Sequence, residues 1–261
     1  MGIGEAIAKS FADEGASVVL CSRDLARTEA ARQRIGHADQ TRAVACDVRK
    51  RSDIDLLVQA ALDRYGRIDI WVNNAGYGIQ DSVAAMSMQA CRDLFDTNLF
   101  GAIECMQAVA PLMKQQGGGT IINVSSVVGY IALPYQAAYS ATKHAMNAIG
   151  HAARIELQKD GIHVMTVCPG YIPTGFQQNV VMGDEALKFS GGRKADATAQ
   201  DVARATLDGY LRRKRDVIVP AKHRFNVKVY QLLPSVVEWV IGRNLRPAKE
   251  VIAEMSARSK K

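Results

Sequence analysis

A tyrosine and a lysine four residues apart, Tyr139 and Lys143, have the types and spacing that most clearly indicate chemistry in this 261-residue chain. On a helix, residues four apart project from one face, about one turn from each other. An ammonium beside a phenol favours the phenolate, so we expect Lys143 to lower the pKa of Tyr139 toward neutral pH. Tyr139 would then act as a general acid or base toward a carbonyl or alcohol oxygen.

A hydroxyl and an amide lie upstream of this pair. Ser126 stands thirteen residues before the tyrosine and follows the apolar run 119–124, which we interpret as a buried strand that ends at the serine. Ser125 is the alternative hydroxyl, and the spacing favours Ser126. Asn98 lies a further twenty-eight residues upstream, inside the helical stretch 90–116, although asparagine is a poor helix former.

The elements that would position these side chains alternate along the chain. Apolar runs predict strands at 17–21, 43–46, 68–72, 120–124 and 163–167, and amphipathic patterns predict helices at 5–14, 26–35, 52–65, 90–116 and 138–159. Such alternation predicts an α/β fold, a doubly wound parallel sheet with helices on both faces. In these sheets a ligand binds beyond the carboxyl ends of the strands.

Further motifs appear in a fixed order. They are Gly2-Ile3-Gly4, Cys46-Asp47-Val48, Asn73-Asn74-Ala75-Gly76 and Pro169-Gly170-Tyr171-Ile172-Pro173-Thr174. With Asn98, Ser126, Tyr139 and Lys143, they make the chain similar to the single-domain short-chain dehydrogenases/reductases, from Gly2 to about Leu211. The resemblance implies a Rossmann-like fold and an NAD(P)-dependent enzyme that interconverts CH–OH and C=O groups.

The resemblance also implies roles for single residues. The backbone carbonyl of Asn98 would fix a water beside Lys143, and the Ser126 hydroxyl would hydrogen-bond the substrate oxygen. Lys143 would bind the nicotinamide ribose in addition to assisting Tyr139. The catalytic residues are then Asn98, Ser126, Tyr139 and Lys143, and the cofactor-binding residues are Gly2, Ile3, Gly4, Ser22, Arg23, Asp47, Val48, Asn74, Ala75, Gly76, Tyr139, Lys143, Pro169, Gly170, Ile172 and Thr174.

The choice between NADP and NAD depends on the end of the second family strand. NAD-dependent members tend to carry an acidic residue there, whereas this chain has Ser22-Arg23. An arginine pairs bidentately with a 2′-phosphate and a serine leaves room for it, so we expect NADP. Asp24 is the reason to keep NAD as the alternative, since a shift of one position would bring its carboxylate to the ribose.

The beginning of the chain departs from the family pattern. Members start with a strand and a Thr-Gly-x-x-x-Gly-x-Gly turn, whereas this sequence opens at Met1-Gly2-Ile3-Gly4. We therefore expect the family's first strand to be absent from this chain and the true start to lie upstream; an impaired enzyme is the alternative. That strand is central in the family's sheet, so its loss would leave backbone groups unpaired and weaken the pyrophosphate site.

Composition limits the remaining classes. A hydrophobic content of 48% suits one substantial core, and no run of eighteen apolar residues predicts a spanning helix. The N-terminus does not resemble a secretory signal, and the five cysteines form no CxxC pair, so we expect free thiols and a cytoplasmic protein. The five histidines do not cluster at metal spacing, and we predict no metal.

The C-terminal part is basic. From Gly209 onward it holds 13 Lys/Arg against 4 Asp/Glu, and we divide the chain into a catalytic domain, 1–211, and a basic extension, 212–261. A helical stripe interrupted by Pro234 runs through Val229, Leu232, Leu233, Val236, Val237, Val240 and Ile241. We favour packing of this stripe over the substrate pocket or at a subunit contact; peripheral contact with an anionic membrane is the alternative.

The sequence thus predicts an NADP-dependent oxidoreductase with a small carbonyl or alcohol substrate, not a nucleic-acid partner, assembled as a homodimer or homotetramer. Segment 175–197 is expected to form a lid whose apolar residues, among them Phe176 and Phe189, favour an apolar substrate. Two alternatives are an extended epimerase or dehydratase, whose longer substrate domain is missing here, and a cofactor-binding homologue that is not an active enzyme.

Overall fold

The structure, a computed structural model, describes residues 2–183, 195 and 197–243. Helices and strands alternate along these residues. In chain order they are α1 (Ile3–Asp13), β1 (Val18–Ser22), α2 (Leu25–Ile35), β2 (Thr41–Ala45), α3 (Arg51–Tyr65), β3 (Ile70–Asn73), β4 (Ile79–Gln80), α4 (Met88–Phe95), α5 (Gly101–Gln115), β5 (Gly119–Val124), α6 (Ala137–Glu156), β6 (Ile162–Pro169), β7 (Val181–Met182), α7 (Ala199–Leu211), β8 (Asp216–Val219), α8 (His223–Leu232) and α9 (Pro234–Arg243).

All the paired strands are parallel. A four-stranded sheet has the order β3–β5–β6–β8, β1 pairs with β2, and the short β4 pairs with β7. The predicted α/β fold with a parallel sheet is confirmed, and each of the five predicted strands and five predicted helices lies on an element of the same type. Three strands, β4, β7 and β8, and the helix α7 were not predicted.

Helices cover both faces of the central strands. Successive side chains of β5 point to opposite faces, so Ile121 packs in one cluster with Val109 of α5, and Ile122 packs in another with Ile7 of α1 and Val202 of α7. All of these side chains have 2% of their surface exposed or less. The two clusters hold the sheet between α1 and α7 on one side and α3 and α5 on the other.

The N-terminal part of the chain begins with α1, whose first residue is Ile3 rather than the predicted residue 5, and continues into β1. The predicted absence of an N-terminal strand is not confirmed, because this part of the chain does contain a strand. Among the described residues, β1 pairs with β2 alone and β3 pairs with β5 alone, so the sheet is in two parts.

The C-terminal part contributes one strand to the main sheet, since β8 pairs with β6. Beyond it, α8 ends at Leu232 and α9 begins at Pro234, which confirms the predicted interruption of the helical stripe. A proline is tolerated in the first turn of a helix because the amide that it lacks has no partner there. The division of the chain at residue 211 stays a prediction.

Candidate active site

One large cleft opens at the carboxyl ends of the parallel strands. Its volume is ≈ 2040 Å³, larger than the roughly 300–1,000 Å³ of a usual small-molecule pocket, because it extends into the room between β1 and β3. Of the predicted site residues, only Asn98 is absent from its walls. Those that line it are Gly2, Ile3, Gly4, Ser22, Arg23, Asp47, Val48, Asn74, Ala75, Gly76, Ser126, Tyr139, Lys143, Pro169, Gly170, Ile172 and Thr174.

Helix α6 carries both Tyr139 and Lys143 into this cleft, as their spacing predicted. The Lys143 Nζ lies 5.8 Å from the centroid of the Tyr139 ring and donates to the Val124 carbonyl at 2.9 Å. Ser126 lies two residues beyond the end of β5, and its Oγ donates to the Pro169 carbonyl at 3.2 Å. The phenol, the ammonium and the hydroxyl therefore meet where β5 and β6 end.

Burial controls the protonation of this pair. It raises the pKa of Tyr139 to about 12, against a hydrogen bond with Ser126 that lowers it, and it lowers the pKa of Lys143 from 10.5 to about 8. The predicted lowering of the Tyr139 pKa by Lys143 is thus wrong for this structure, because removal of the phenolate from water has the largest effect on this pKa and the group that lowers it is Ser126. At neutral pH Tyr139 is a protonated phenol and can donate a proton.

Asn98 lies behind the cleft wall, in a π turn, Asp96–Phe100, between α4 and α5. Its side chain is fully buried and clamps the backbone of Tyr77: Oδ1 accepts from the Tyr77 N–H at 3.0 Å, and Nδ2 donates to the Tyr77 carbonyl at 2.9 Å. Nδ2 also lies 3.3 Å from Thr142 Oγ1 on α6. The amide of Asn98 therefore positions the segment after β3 against α6, and the predicted role of its carbonyl stays a prediction.

Two glycines form the floor of the middle of the cleft. A Cβ on Gly4 would lie 2.5 Å from Nδ2 of Asn74, and a Cβ on Gly76 would lie 3.0 Å from Oδ1 of Asn98. A Cβ at either position would force the neighbouring side chain to shift, so glycine suits the close approach of α1 to Asn74 and of the turn after β3 to Asn98. Gly2 caps α1, so the amides of the first helical turn are directed toward the cleft, where they suit a phosphate.

The far end of the cleft is formed by the loop after β1. Asp24 caps α2, where its carboxylate accepts from the Arg27 N–H at 3.0 Å. Ser22 hydrogen-bonds Thr28, with 2.6 Å between the hydroxyl oxygens. Arg23 is exposed and lines the cleft. The acidic side chain that was the argument for NAD is thus engaged in a helix cap, while the arginine faces the ligand space.

This end of the cleft holds a second cation, Arg49, which was not predicted from the sequence. Arg49 also lines the cleft, and its Nη2 donates to the carboxylate of Asp47 at 2.6 Å. This ion pair holds the pKa of Asp47 below its usual value. A basic residue directly after the Asp47-Val48 motif was the available signal. The predicted contact of Asp47 with adenine stays a prediction, because both carboxylate oxygens accept from Arg49 here.

The loop after β6 closes the opposite end. Gln177, which the sequence did not single out, donates to the Ile172 carbonyl at 3.1 Å and accepts from the Thr174 N–H at 3.2 Å. The Phe176 ring lies 5.6 Å from the ring of Tyr139. The described residues thus contain the beginning of the predicted lid; Phe189 lies outside them.

The substrate side of the cleft, beyond Tyr139, carries a group of apolar side chains, although His223 and Asn226 of α8 line the cleft as well. Its walls come from the segment after β5, from the loop after β6 and from the inner faces of α8 and α9. The apolar residues concerned are Ile131, Leu133, Phe176, Val229, Val237 and Ile241.

The three parts of the cleft fit a nicotinamide dinucleotide. The glycine floor and the first turn of α1 suit the pyrophosphate, the loops that carry Arg23 and Arg49 suit the adenosine end, and Lys143 with Ile172 suits the nicotinamide end.

Comparisons with known proteins agree with this geometry. The family model for short chain dehydrogenases matches residues 1–185. Dehydrogenase/reductase SDR family member 7B of Danio rerio is 32% identical over 228 residues, which cover 84% of this chain and 74% of the relative.

Two solved structures share the fold. A 3-ketoacyl-(acyl-carrier-protein) reductase from Brucella melitensis, complexed with NADH, is 30% identical, with a TM-score of 0.75 over 84% of this chain and 92% of that one. A short-chain dehydrogenase from Sphingobium yanoikuyae, in complex with NADPH, is 25% identical, with a TM-score of 0.74 over 94% of this chain and 92% of that one. The match to the family model covers well over half of the sequence. The chain therefore belongs to the short-chain dehydrogenase/reductase family and is an NAD(P)-dependent oxidoreductase.

Proposed function

We propose that this protein interconverts an apolar ketone and its alcohol, that it prefers NADP(H), and that Tyr139 transfers the proton. The observation that carries the proposal is the convergence of the Tyr139 phenol, the Ser126 hydroxyl and the Lys143 ammonium beside an apolar substrate wall.

Each of these groups has a separate task in carbonyl reduction. The nicotinamide supplies the hydride, or accepts it in the reverse direction. Tyr139, with a pKa of about 12, remains protonated at neutral pH and donates its proton to the substrate oxygen. Ser126 donates a hydrogen bond to the same oxygen and offsets its developing negative charge. Lys143 then stabilises the phenolate that remains, and it orients the nicotinamide ribose.

The preference for NADP(H) is supported by charge at the far end of the cleft. Arg23 and Arg49 both line it, and a guanidinium pairs bidentately with a phosphate. Asp24 would repel a 2′-phosphate if its carboxylate faced the ribose, but it caps α2 instead. Relatives of this chain bind either cofactor: one solved structure holds NADH and another NADPH.

The apolar wall is the argument for the substrate class. Val229, Val237, Ile241 and Leu133 line the same cleft as Phe176, whose ring lies beside that of Tyr139, and these apolar side chains favour an alkyl or aryl ketone over a charged keto acid. The Brucella melitensis relative is named for a 3-ketoacyl substrate, which also carries a hydrocarbon chain next to the carbonyl.

Cofactor oxidation with a set of ketones tests the proposal. The set holds alkyl ketones of increasing chain length and 2-keto acids of matching length, each with NADPH and with NADH. We expect kcat/KM to rise with alkyl chain length, by up to about fourfold per buried CH₂ at about 0.8 kcal/mol each, and to be higher with NADPH. Faster turnover of the keto acids, or a preference for NADH, would contradict the corresponding part of the proposal.

We also propose that the room between β1 and β3 accepts one further parallel strand, the family strand that the sequence analysis expects upstream. The support is that side chains of both strands, Leu20 and Ile70 among them, line the cleft, and that β1 is at most half-buried along its length. Extending the chain at its N-terminus by such a strand should raise both Tm and NADPH affinity. An extension that changes neither quantity would refute this part.

A further inference from the structure

Helices α8 and α9 each have an inner side that is covered by the protein. Val227 of α8 is buried, and Val229, Val237 and Ile241 are half-buried and line the apolar end of the cleft. Val229, Val237 and Ile241 are therefore the residues of the predicted stripe that pack over the pocket. It accounts for only some of the apolar residues in the two helices.

The outer side of the same helices is apolar as well. On α8, Leu232 is 78% exposed, and Phe225, which stands at the rim of the cleft and also lines it, is 71% exposed; on α9, Val236 is 54% exposed and Trp239 is 62% exposed. These positions recur at helical spacing, seven apart on α8 and three apart on α9, so each set forms a stripe along its helix. Leu233, 55% exposed, lies between the two stripes. Clustered exposed apolar side chains of this kind mark a binding surface.

Cations accompany both stripes. Lys228 lies on the α8 stripe, and Arg243 lies on the α9 stripe with its guanidinium 5.3 Å from the Trp239 ring centroid. Residues 221–243 contain four Lys/Arg residues and a single acidic residue, Glu238. A second copy of this surface would bring like charges together in a two-fold contact. An apolar stripe with tryptophan and flanking cations instead complements an anionic lipid surface.

We propose that the outer face of α8 and α9 docks on an anionic lipid bilayer. The contact would be peripheral, since none of the described helices is long and apolar enough to cross a membrane. Because the inner faces of the same helices line the cleft, docking would bring the mouth of the substrate site to the lipid surface, where apolar ketones and alcohols partition. The proposal does not depend on the proposed reaction, because binding to vesicles requires no turnover.

Sedimentation of the full chain with vesicles tests this proposal. We expect the protein to pellet with phosphatidylcholine vesicles that contain phosphatidylglycerol, and to remain in the supernatant with phosphatidylcholine alone. Trp239→Ser should weaken binding to the anionic vesicles by about tenfold, through lost apolar burial. Lys228→Gln and Arg243→Gln should each weaken it by about fivefold, and salt should weaken it further.

Matched substitutions elsewhere on the surface test whether the loss of any exposed apolar or cationic side chain weakens vesicle binding. Ile155 on α6 is 76% exposed, so Ile155→Ser removes a similar exposed apolar group, and Lys159→Gln removes an exposed cation; neither should change binding. NADPH affinity, measured on every variant, reports folding independently of vesicles. If the unmodified protein stays in the supernatant with anionic vesicles at low salt, or if Trp239→Ser reduces self-association and leaves vesicle binding intact, the proposal is overturned.

Discussion

The two sides of the parallel sheet differ in how completely they are buried. In β5 and β6 nearly every residue is buried, and Ile121, Ile122, Val164 and Val167 expose none of their surface. In β1 no residue is buried, and in β3 only Asn73 is. Both sides contribute to the same cleft, yet only one of them has a closely packed interior.

This difference in burial divides the cleft into a rigid part beside Tyr139 and a less closely packed part beside the predicted adenine end of the cofactor. The Tyr139 phenol and its neighbours are held by the buried side, through β5, β6 and α6, where close packing fixes their positions. The residues that would hold the adenine end of the cofactor follow β1 and β2 on the open side. We therefore expect substitutions on the buried side to change stability and turnover, and substitutions on the open side to change cofactor affinity.

Truncation of one isoleucine on each side tests this difference in packing, with the largest expected effect. Ile122→Ala in β5 should lower the free energy of unfolding by about 2–5 kcal/mol, because it leaves a cavity in a fully buried cluster. Ile70→Ala in β3 removes the same atoms from a half-buried position and should cost less than half as much. Urea unfolding of both variants measures the difference. Equal losses would show that the two sides are packed alike.

A second substitution sharpens the assignment of cofactor affinity to the open side. Arg23→Ala should reduce the preference for NADPH over NADH by about ten- to a hundredfold, since a hydrogen bond to a charged group contributes about 1.5–3 kcal/mol. Titration of the protein with each cofactor gives the two affinities, and kcat at saturating cofactor should not change. Arg42→Ala, an exposed arginine of β2 outside the cleft, is the matched control.

If the unmodified protein binds NADH more tightly, Arg23 does not contact a 2′-phosphate. Asp24 would then be the residue to substitute next, because releasing it from the cap of α2 would bring a carboxylate toward the ribose.

The smallest expected effect is on the free energy of unfolding, which the burial of the Lys143 ammonium lowers. Burial lowers its pKa from 10.5 to about 8, so the folded state is penalised wherever the amine is charged. Lys143→Met should therefore raise the free energy of unfolding at pH 7, by about 1–3 kcal/mol, although it removes turnover. The unfolded chain keeps its proton up to pH 10.5, so this gain is full below pH 8 and fades between pH 8 and 10.5. A gain that grows with pH would contradict this assignment.

Much of the site followed from sequence because it depends on local spacing. A spacing of four residues from Tyr139 to Lys143 is enough to place both on one face of α6, and an apolar run before Ser126 is enough to place that hydroxyl near the end of β5. The roles of Gly4 and Gly76 were also predictable from sequence, because a backbone that lies this close to a neighbouring side chain favours a residue without a Cβ.

The remaining features of the site and fold depend on contacts between distant segments, which the spacing of residues in the sequence does not show. The raised pKa of Tyr139 results from burial by distant segments, and no local pattern measures that burial. The π turn around Asn98 lies in a stretch whose periodicity predicts an ordinary helix. Strand β8 has only four residues after a basic run, too few for a recognisable period. Helix α7 did carry a usable signal, the capping box of Thr198 and Asp201.

Single-turnover oxidation of bound NADPH by a reactive ketone measures whether the phenol of Tyr139 transfers the proton. Tyr139→Phe should slow this step by about 10²–10⁴-fold. NADPH affinity should remain within a fewfold of the unmodified protein, and Tyr210→Phe, which alters a tyrosine that packs on Phe11 and does not itself line the cleft, should leave the rate unchanged. A Tyr139→Phe protein that oxidises NADPH within tenfold of the normal rate would contradict the account.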